Sequence, residues 1–163
     1  MIGGVPNVGK STIINTLRKR DDSIPHTKKS GAKTGGVPCI TKSVSGFKII
    51  SDPPTFITDT PGIFIPKLSN SEDGMKLCAV NCIRDGIVEP ELVCDYVLWQ
   101  LNKNRCFDYV TKYQLPDQLP TEEVHKLMVA VQTRLGLQSR EDAHSNFLSD
   151  FRDGRLGKVL LDN

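Results

Sequence analysis

The stretch GVPNVGKST, residues 4–12, restricts this chain more than any other. Gly4, four further residues, then Gly9, Lys10 and Ser11 match G-x-x-x-x-G-K-S/T, a loop that leads a strand into a helix and turns successive backbone N–H groups toward one point. Both flanks suit it. Met1–Ile2 reads as the end of a strand, and Ile13, Ile14 and Leu17 give Lys10 to about Arg20 an apolar helical spacing. A chain that must run strand, glycine loop, helix is α/β at least over its first part. In such a loop the amides and the helix N-terminus gather around a β-phosphate, Lys10 reaches β- and γ-oxygens, and the Ser11 hydroxyl is placed for Mg²⁺.

A second phosphate-dependent element follows. SVSGFKII and TFITD, separated by SDPP, read as an antiparallel hairpin ending at Asp59, and Asp59 opens DTPG, residues 59–62. An aspartate at a strand end suits the Mg²⁺ shell, and the Gly62 N–H suits a γ-phosphate, so the pair of motifs reads as a nucleoside-triphosphate switch. Between them GGVPCIT carries Thr41, placed to complete the Mg²⁺ shell in the triphosphate state. Many GTPases follow D-x-x-G with a glutamine that orients the attacking water; here Ile63 stands there, so intrinsic hydrolysis is expected to be slow or to depend on another group.

Guanine selection needs an aspartate that accepts the ring N–H and amino protons, normally within N/T-K-x-D. NKNR at 102–105 has Arg105 in the aspartate position, and TKYQ at 111–114 fails in the same way. The sequence therefore carries phosphate chemistry without a base-reading loop.

Charge is unevenly distributed. Eight Lys or Arg between Arg18 and Lys48 face only Asp21 and Asp22, a local +6 in a chain of net +2, which leaves the remainder at −4. A basic segment rich in Gly, Lys, Ser and Pro suits a polyanion such as RNA, or is simply a solvated loop. Five scattered cysteines point to a reducing compartment and form no second pair at ligand spacing beside Cys78 and Cys82. No run approaches the roughly 18 apolar residues of a membrane span.

After DTPGIFIPK the pattern becomes helical. The spacing predicts one helix with Met75, Cys78, Ala79, Cys82 and Ile83 on a face, a second from about Glu89 to Leu101, and a third capped by Thr121 and stopped at Gly136. A fourth is capped by Ser139 with Asp142 and ends near Gly154. The expected architecture is α/β: a partial P-loop GTPase domain over 1–70, followed by an all-helical domain over 71–163.

GVPNVGKSTIINTLR, GGVPCITKSV, DTPGIFIPK and FLSDFRDGRLGKVLLD resemble the circularly permuted GTPases of ribosome assembly, of the bacterial YlqF type, and most of all their mitochondrial branch; the likeness covers nearly the whole chain. In that family the base-reading segment precedes the phosphate loop, so the resemblance implies that this chain is the C-terminal part of a longer protein, cut just inside the first strand of a permuted half. It implies GTP as ligand, with Asn7, Val8, Gly9, Lys10, Ser11 and Thr12 lining the α- and β-phosphates and Gly62 the γ-phosphate. Lys10 and Thr41 would be the catalytic residues, Ser11, Thr41 and Asp59 the Mg²⁺ residues, and Asn7 the holder of an activating K⁺. The implied partner is the mitochondrial large ribosomal subunit, with the 71–163 helices on its rRNA. The implied location is peripheral, on the matrix side of the inner membrane. Cys39 stands where the family carries Gly, and Gly3 where it carries an apolar strand residue.

Two readings remain open at this point. One is a GTP-binding protein that hydrolyses GTP in assembly of the mitochondrial large subunit; the other is a non-catalytic RNA-binding or scaffold fragment, favoured by the missing guanine-reading loop. A P-loop kinase is disfavoured, because no lid-like arginine cluster accompanies DTPG.

Overall fold

The computed structural model describes residues 1–24, 32, 44–62, 68 and 70–162. The chain divides into two compact units, Met1–Leu68 with Asn81–Arg84, and Ser69–Val80 with Asp85–Asn163. Among the described residues no helix is long and apolar enough to cross a membrane.

In the first unit, α1 (Lys10–Arg18) accompanies a hairpin of β1 (Ser45–Ile50) and β2 (Thr55–Asp59). The strands pair antiparallel from Ser45 opposite Asp59 to Ile50 opposite Thr55, with an irregularity between Lys48 and Ile50. Ile2 joins β2 through a parallel bridge to Asp59, its N–H donating to the Thr58 carbonyl at 2.9 Å. The Thr60 hydroxyl donates to the Ile2 carbonyl at 2.8 Å, closing this junction. A parallel neighbour cannot be reached by a tight turn. Here the phosphate loop and α1 supply the beginning of the crossover.

Helix α1 differs in one respect from its expected pattern. Its buried residues are Lys10, Ile14 and Arg18, four apart on one face, whereas Ile13 is half exposed. Two of the three inward positions are the stems of basic residues, which an apolar-spacing argument does not count. The Arg18 guanidinium lies 5.8 Å from the Phe47 ring centre, tying the helix to β1. Beyond the helix, Asp21 accepts from the Ser23 N–H and hydroxyl and from the Ser51 N–H at 2.6 Å, linking the end of α1 to the hairpin turn. The Asn15 amide pairs with both backbone groups of Ala32, at 2.8 Å each.

The second unit contains α2 (Ser71–Ala79), α3 (Pro90–Lys103), α4 (Asp108–Tyr113), a 3₁₀ turn over Pro116–Gln118, α5 (Val124–Leu135) and α6 (Arg140–Arg152). Its core includes Leu98, Leu101, Tyr109, Tyr113, Leu127, Met128, Phe147 and Leu156, all essentially inaccessible. Helix α2 stops earlier than its cysteine spacing suggests. Asn81 adopts φ 58°, and Cys82 falls outside the helix, in the Asn81–Arg84 segment of the first unit. The Arg152 guanidinium satisfies the end of α2, donating to the carbonyls of Cys78 and Ala79 at 3.0 Å each while pairing with Asp85.

Helix α5 begins at Val124, and the Thr121 hydroxyl accepts from the Glu123 N–H at 3.1 Å, a turn ahead of the helix rather than its cap. Ser139 does cap α6, its hydroxyl accepting from the Asp142 N–H at 3.0 Å, and Gly136 ends α5 with φ 65°. Helix α4 has no counterpart among the sequence expectations. Six residues are too few for periodicity to register, and it is held instead by Tyr109 and Tyr113 reaching across the fold.

Candidate nucleotide-phosphate site

The glycine loop works through backbone conformations that other residues adopt poorly. Gly4 has φ 151° and Gly9 φ 87°, and Gly9 sits immediately before α1 with no side chain capping the helix. The first-turn amides of α1 therefore have no capping side chain to occupy them, and the positive end of the helix dipole points the same way. The Lys10 side chain is buried along the loop, its ammonium donating to the carbonyls of Val5 at 2.8 Å and Gly4 at 3.1 Å. These two bonds hold a positive charge over the cradle. Val8 and Thr12 are exposed beside it.

Asp59 comes to the loop from 48 residues away. The Ser11 hydroxyl donates to its Oδ2 at 2.7 Å, and Asp59 is 1% exposed. A hydroxyl and a carboxylate in contact are the hard oxygen donors that Mg²⁺ takes beside phosphate oxygens and water. The donor set therefore fits that ion.

Gly62 is tied to the loop by shape. A Cβ built on it would lie 2.5 Å from Pro6 Cγ, 2.7 Å from Pro6 Cα and 2.8 Å from Pro6 N, so the D-x-x-G backbone lies directly against the phosphate loop. Only glycine permits that approach. Asn7, at φ 61°, uses its amide N–H₂ to donate to the Asn81 carbonyl at 3.2 Å. Burial raises the Cys82 thiol pKa, and the nearby Lys10 charge opposes that rise.

The described structure thus unites Asn7, Val8, Gly9, Lys10, Ser11, Thr12, Asp59 and Gly62 around one loop. Thr41 and Ile63, together with Lys28, Lys29, Lys33 and Cys39, lie outside the described residues. Three contributors had not been singled out from the sequence: Pro6, the surface for Gly62; Thr60, which closes the Ile2 junction; and Asn81. The first two sit inside the quoted motifs, but their contacts with Gly62 and Ile2 are made only by the fold. Asn81 acts through its backbone carbonyl, for which no sequence signal exists.

The near-matches to a base-reading loop serve the second unit's packing. Asn102 donates to the Thr121 carbonyl at 2.8 Å and accepts from the Tyr109 hydroxyl at 2.7 Å, while Tyr113 of TKYQ donates to Asp150 at 2.7 Å.

The sequence profile of the 50S ribosome-binding GTPase family matches residues 1–129. The chain is 38% identical to the Mitochondrial GTPase 1 of Aedes aegypti over 100% of its own length and 54% of that protein. It is 34% identical to the Mitochondrial ribosome-associated GTPase 1 of Ictalurus punctatus, over 99% of the chain and 54% of the relative. Similarity extends to the Ribosome biogenesis GTPase A of Bacillus pumilus, 36% identical over 83% of the chain and 44% of that protein. The chain spans about half the length of the curated relatives it matches.

Proposed function

We propose, from the premise that this chain belongs to the 50S ribosome-binding GTPase family, that it carries the phosphate-handling part of a protein that hydrolyses GTP during assembly of the mitochondrial large ribosomal subunit. The observation that carries this reading is the Ser11–Asp59 contact at 2.7 Å, which joins a phosphate loop to a D-x-x-G segment at one Mg²⁺-competent point. The names of the mitochondrial relatives support the compartment, and that of the bacterial relative supports the assembly role.

In this reading the loop amides and Lys10 bind the α-, β- and γ-phosphates, and Ser11, Asp59 and Thr41 hold Mg²⁺ directly or through water. Gly62 reports the γ-phosphate through its amide, which the contact with Pro6 keeps beside the phosphate loop. Asn7 is the residue for an activating K⁺. Ile63 orients no water, so turnover depends on that cation or on the ribosomal partner. Base selection comes from a guanine-reading segment that the permuted order places upstream of the phosphate loop. The 71–163 helices contact rRNA, and the basic 18–48 segment couples that contact to the nucleotide state. The location is peripheral, on the matrix side of the inner membrane.

The test is made on the full-length protein. GTP should bind in preference to ATP, phosphate release should rise with K⁺ and with large subunits, and Lys10→Met, which keeps the buried stem, should remove both binding and release while the protein still melts cooperatively. Equal use of GTP and ATP, or unaltered binding and release in Lys10→Met, would reject the assignment. Charge reversal at Lys28, Lys29 and Lys33 should weaken subunit binding; unchanged binding would remove the proposed coupling.

A non-catalytic RNA-binding or scaffold role is the second reading, favoured by one observation: Asn102, the nearest candidate for a base-reading asparagine, is committed to Tyr109 and Thr121. RNA binding without phosphate release, with or without large subunits, would establish that reading instead.

A further inference from the structure

Four consecutive residues are grouped apart from their neighbours in the chain. Asn81–Arg84 belong to the first unit, although the flanking stretches, Ser69–Val80 and Asp85–Asn163, belong to the second. Cys82 anchors the segment at 2% exposure, within range of the Lys10 charge. One residue earlier, the Asn81 carbonyl accepts from the Asn7 side-chain amide at 3.2 Å. The segment therefore meets the phosphate loop at its middle.

Both flanks of the segment converge on one side chain. The Arg152 guanidinium donates to the carbonyls of Cys78 and Ala79, which precede the segment, and to the Asp85 carboxylate, which follows it, over 2.7 to 3.0 Å. A planar guanidinium presents its donors in a rigid fork, so these three acceptors are held in one arrangement. Two of the four bonds satisfy the end of α2, and the other two tie the chain that leaves the segment to the chain that enters it.

Asn7 is the residue on which this bears. It sits in the middle of the phosphate loop with an exposed side chain, and a carbonyl can only accept, so the Asn81 bond selects one rotamer and one amide orientation. A loop whose conformation is already fixed gives up less freedom when its ligand binds.

We propose that Arg152 is a positioning residue for nucleotide binding: by clasping both flanks of Asn81–Arg84 it holds the Asn81 carbonyl on Asn7 and so preorganises the phosphate loop. The inference rests on the reading of that loop as a nucleotide site. Linkage is reciprocal, so bound nucleotide should steady the segment as much as the segment favours the nucleotide.

The probe is N-methylanthraniloyl-GTP with Mg²⁺, titrated against the full-length protein well below its melting temperature. Arg152→Ala should weaken binding about 2- to 10-fold, the range for one neutral hydrogen bond. Tyr113→Phe is the control: it removes a bond to Asp150 of α6, the helix that also carries Arg152, with a comparable effect on stability, and should leave the affinity unchanged. Asn7→Gly keeps left-handed backbone without the amide; it should weaken binding, and adding Arg152→Ala to it should have no further effect. Hydrogen exchange at residues 81–85 should slow on nucleotide binding in the wild type and not in Asn7→Gly. A wild-type protein that binds no GTP analogue would reject the nucleotide-site reading itself. With wild-type binding intact, unchanged affinity in Arg152→Ala, an equal loss in Tyr113→Phe, additive losses in the double variant, or exchange unaffected by nucleotide would each overturn the role of Arg152.

Discussion

The Ser11 hydroxyl and the Asp59 carboxylate meet at 2.7 Å across 48 residues of sequence, one at the start of α1 and the other at the end of β2. Neither element holds the pair together alone. The parallel bridge between Ile2 and Asp59 fixes the end of β2 beside the chain that enters the phosphate loop, so backbone pairing sets the distance between these side chains.

If that contact marks the Mg²⁺ position, Ser11→Ala should lower GTP affinity in Mg²⁺ by about 10- to 100-fold, the range for losing a hydrogen bond to a charged group. With EDTA the loss should be much smaller. A titration in each buffer checks it, and an equal loss in both would show that Ser11 acts on something other than the ion.

Gly62→Ala should damage the site through shape. The added methyl would meet Pro6 backbone atoms at 2.7 and 2.8 Å, and overpacking of this kind costs about 1–3 kcal/mol. Gly46 of β1 has open space at the corresponding atom, so Gly46→Ala is the control. Thermal melts and GTP titrations should separate the two; equal behaviour would mean that the Gly62–Pro6 approach is not maintained in solution.

Acid should loosen the fold through two aspartates. Burial alone would raise the Asp150 carboxyl, but bonds from Tyr113, Arg155 and Lys112 outweigh it and hold the pKa below its ordinary value. Hydrogen bonds from the Ser23 hydroxyl and then the Ser51 N–H bring Asp21 down to about 2. A depressed folded-state pKa contributes stability that is present above the unfolded value near 3.8 and disappears as pH falls through the folded value. Denaturant midpoints should therefore hold at neutral pH and fall from about pH 4 toward pH 2. Asp150→Asn should be less stable at pH 7 by about 1–3 kcal/mol and less sensitive to acid. A variant with unchanged acid sensitivity would remove Asp150 from this account.

Arg152 should matter more than its partner Asp85. Arg152→Ala leaves the Cys78 and Ala79 carbonyls at the end of α2 without their donor, whereas the Asp85 carboxylate is mostly solvated. The expected losses are about 1.5–3 kcal/mol for Arg152→Ala and within about 1 kcal/mol for Asp85→Ala. Arg152→Lys should not rescue, because one ammonium cannot reproduce a fork spread over two carbonyls and a carboxylate. Urea unfolding of the three variants measures the order.

The two loop motifs were legible in the sequence because each is a short contiguous pattern whose geometry is local. Gly4 and Gly9 dictate a loop, Lys10 and Ser11 follow it onto a helix, and DTPG follows a short strand-forming run that the SDPP turn sets off. The hairpin and the caps at Gly136 and Ser139 could be read for the same reason, since a turn or a cap depends on residues within a few positions of each other. The structure revised what depends on burial. Ile13 faces outward because the stems of Lys10 and Arg18 occupy the inward row, and α2 ends before Cys82 because the backbone turns left-handed at Asn81. Thr121 spends its backbone on Tyr109 and Asn102 instead of opening α5.

By itself the sequence determined the glycine-loop and D-x-x-G patterns, the order of strand, loop and helix, and the lack of an N/T-K-x-D pattern. Only the tertiary structure decided that Asp59 reaches Ser11, that Gly62 must be glycine because Pro6 lies against it, and that Asn102 belongs to a helical core. The physical reason is range. A glycine's φ or a helix cap is set by neighbours along the chain, whereas a hydroxyl meeting a carboxylate 48 residues away is set by which surfaces the fold removes from water.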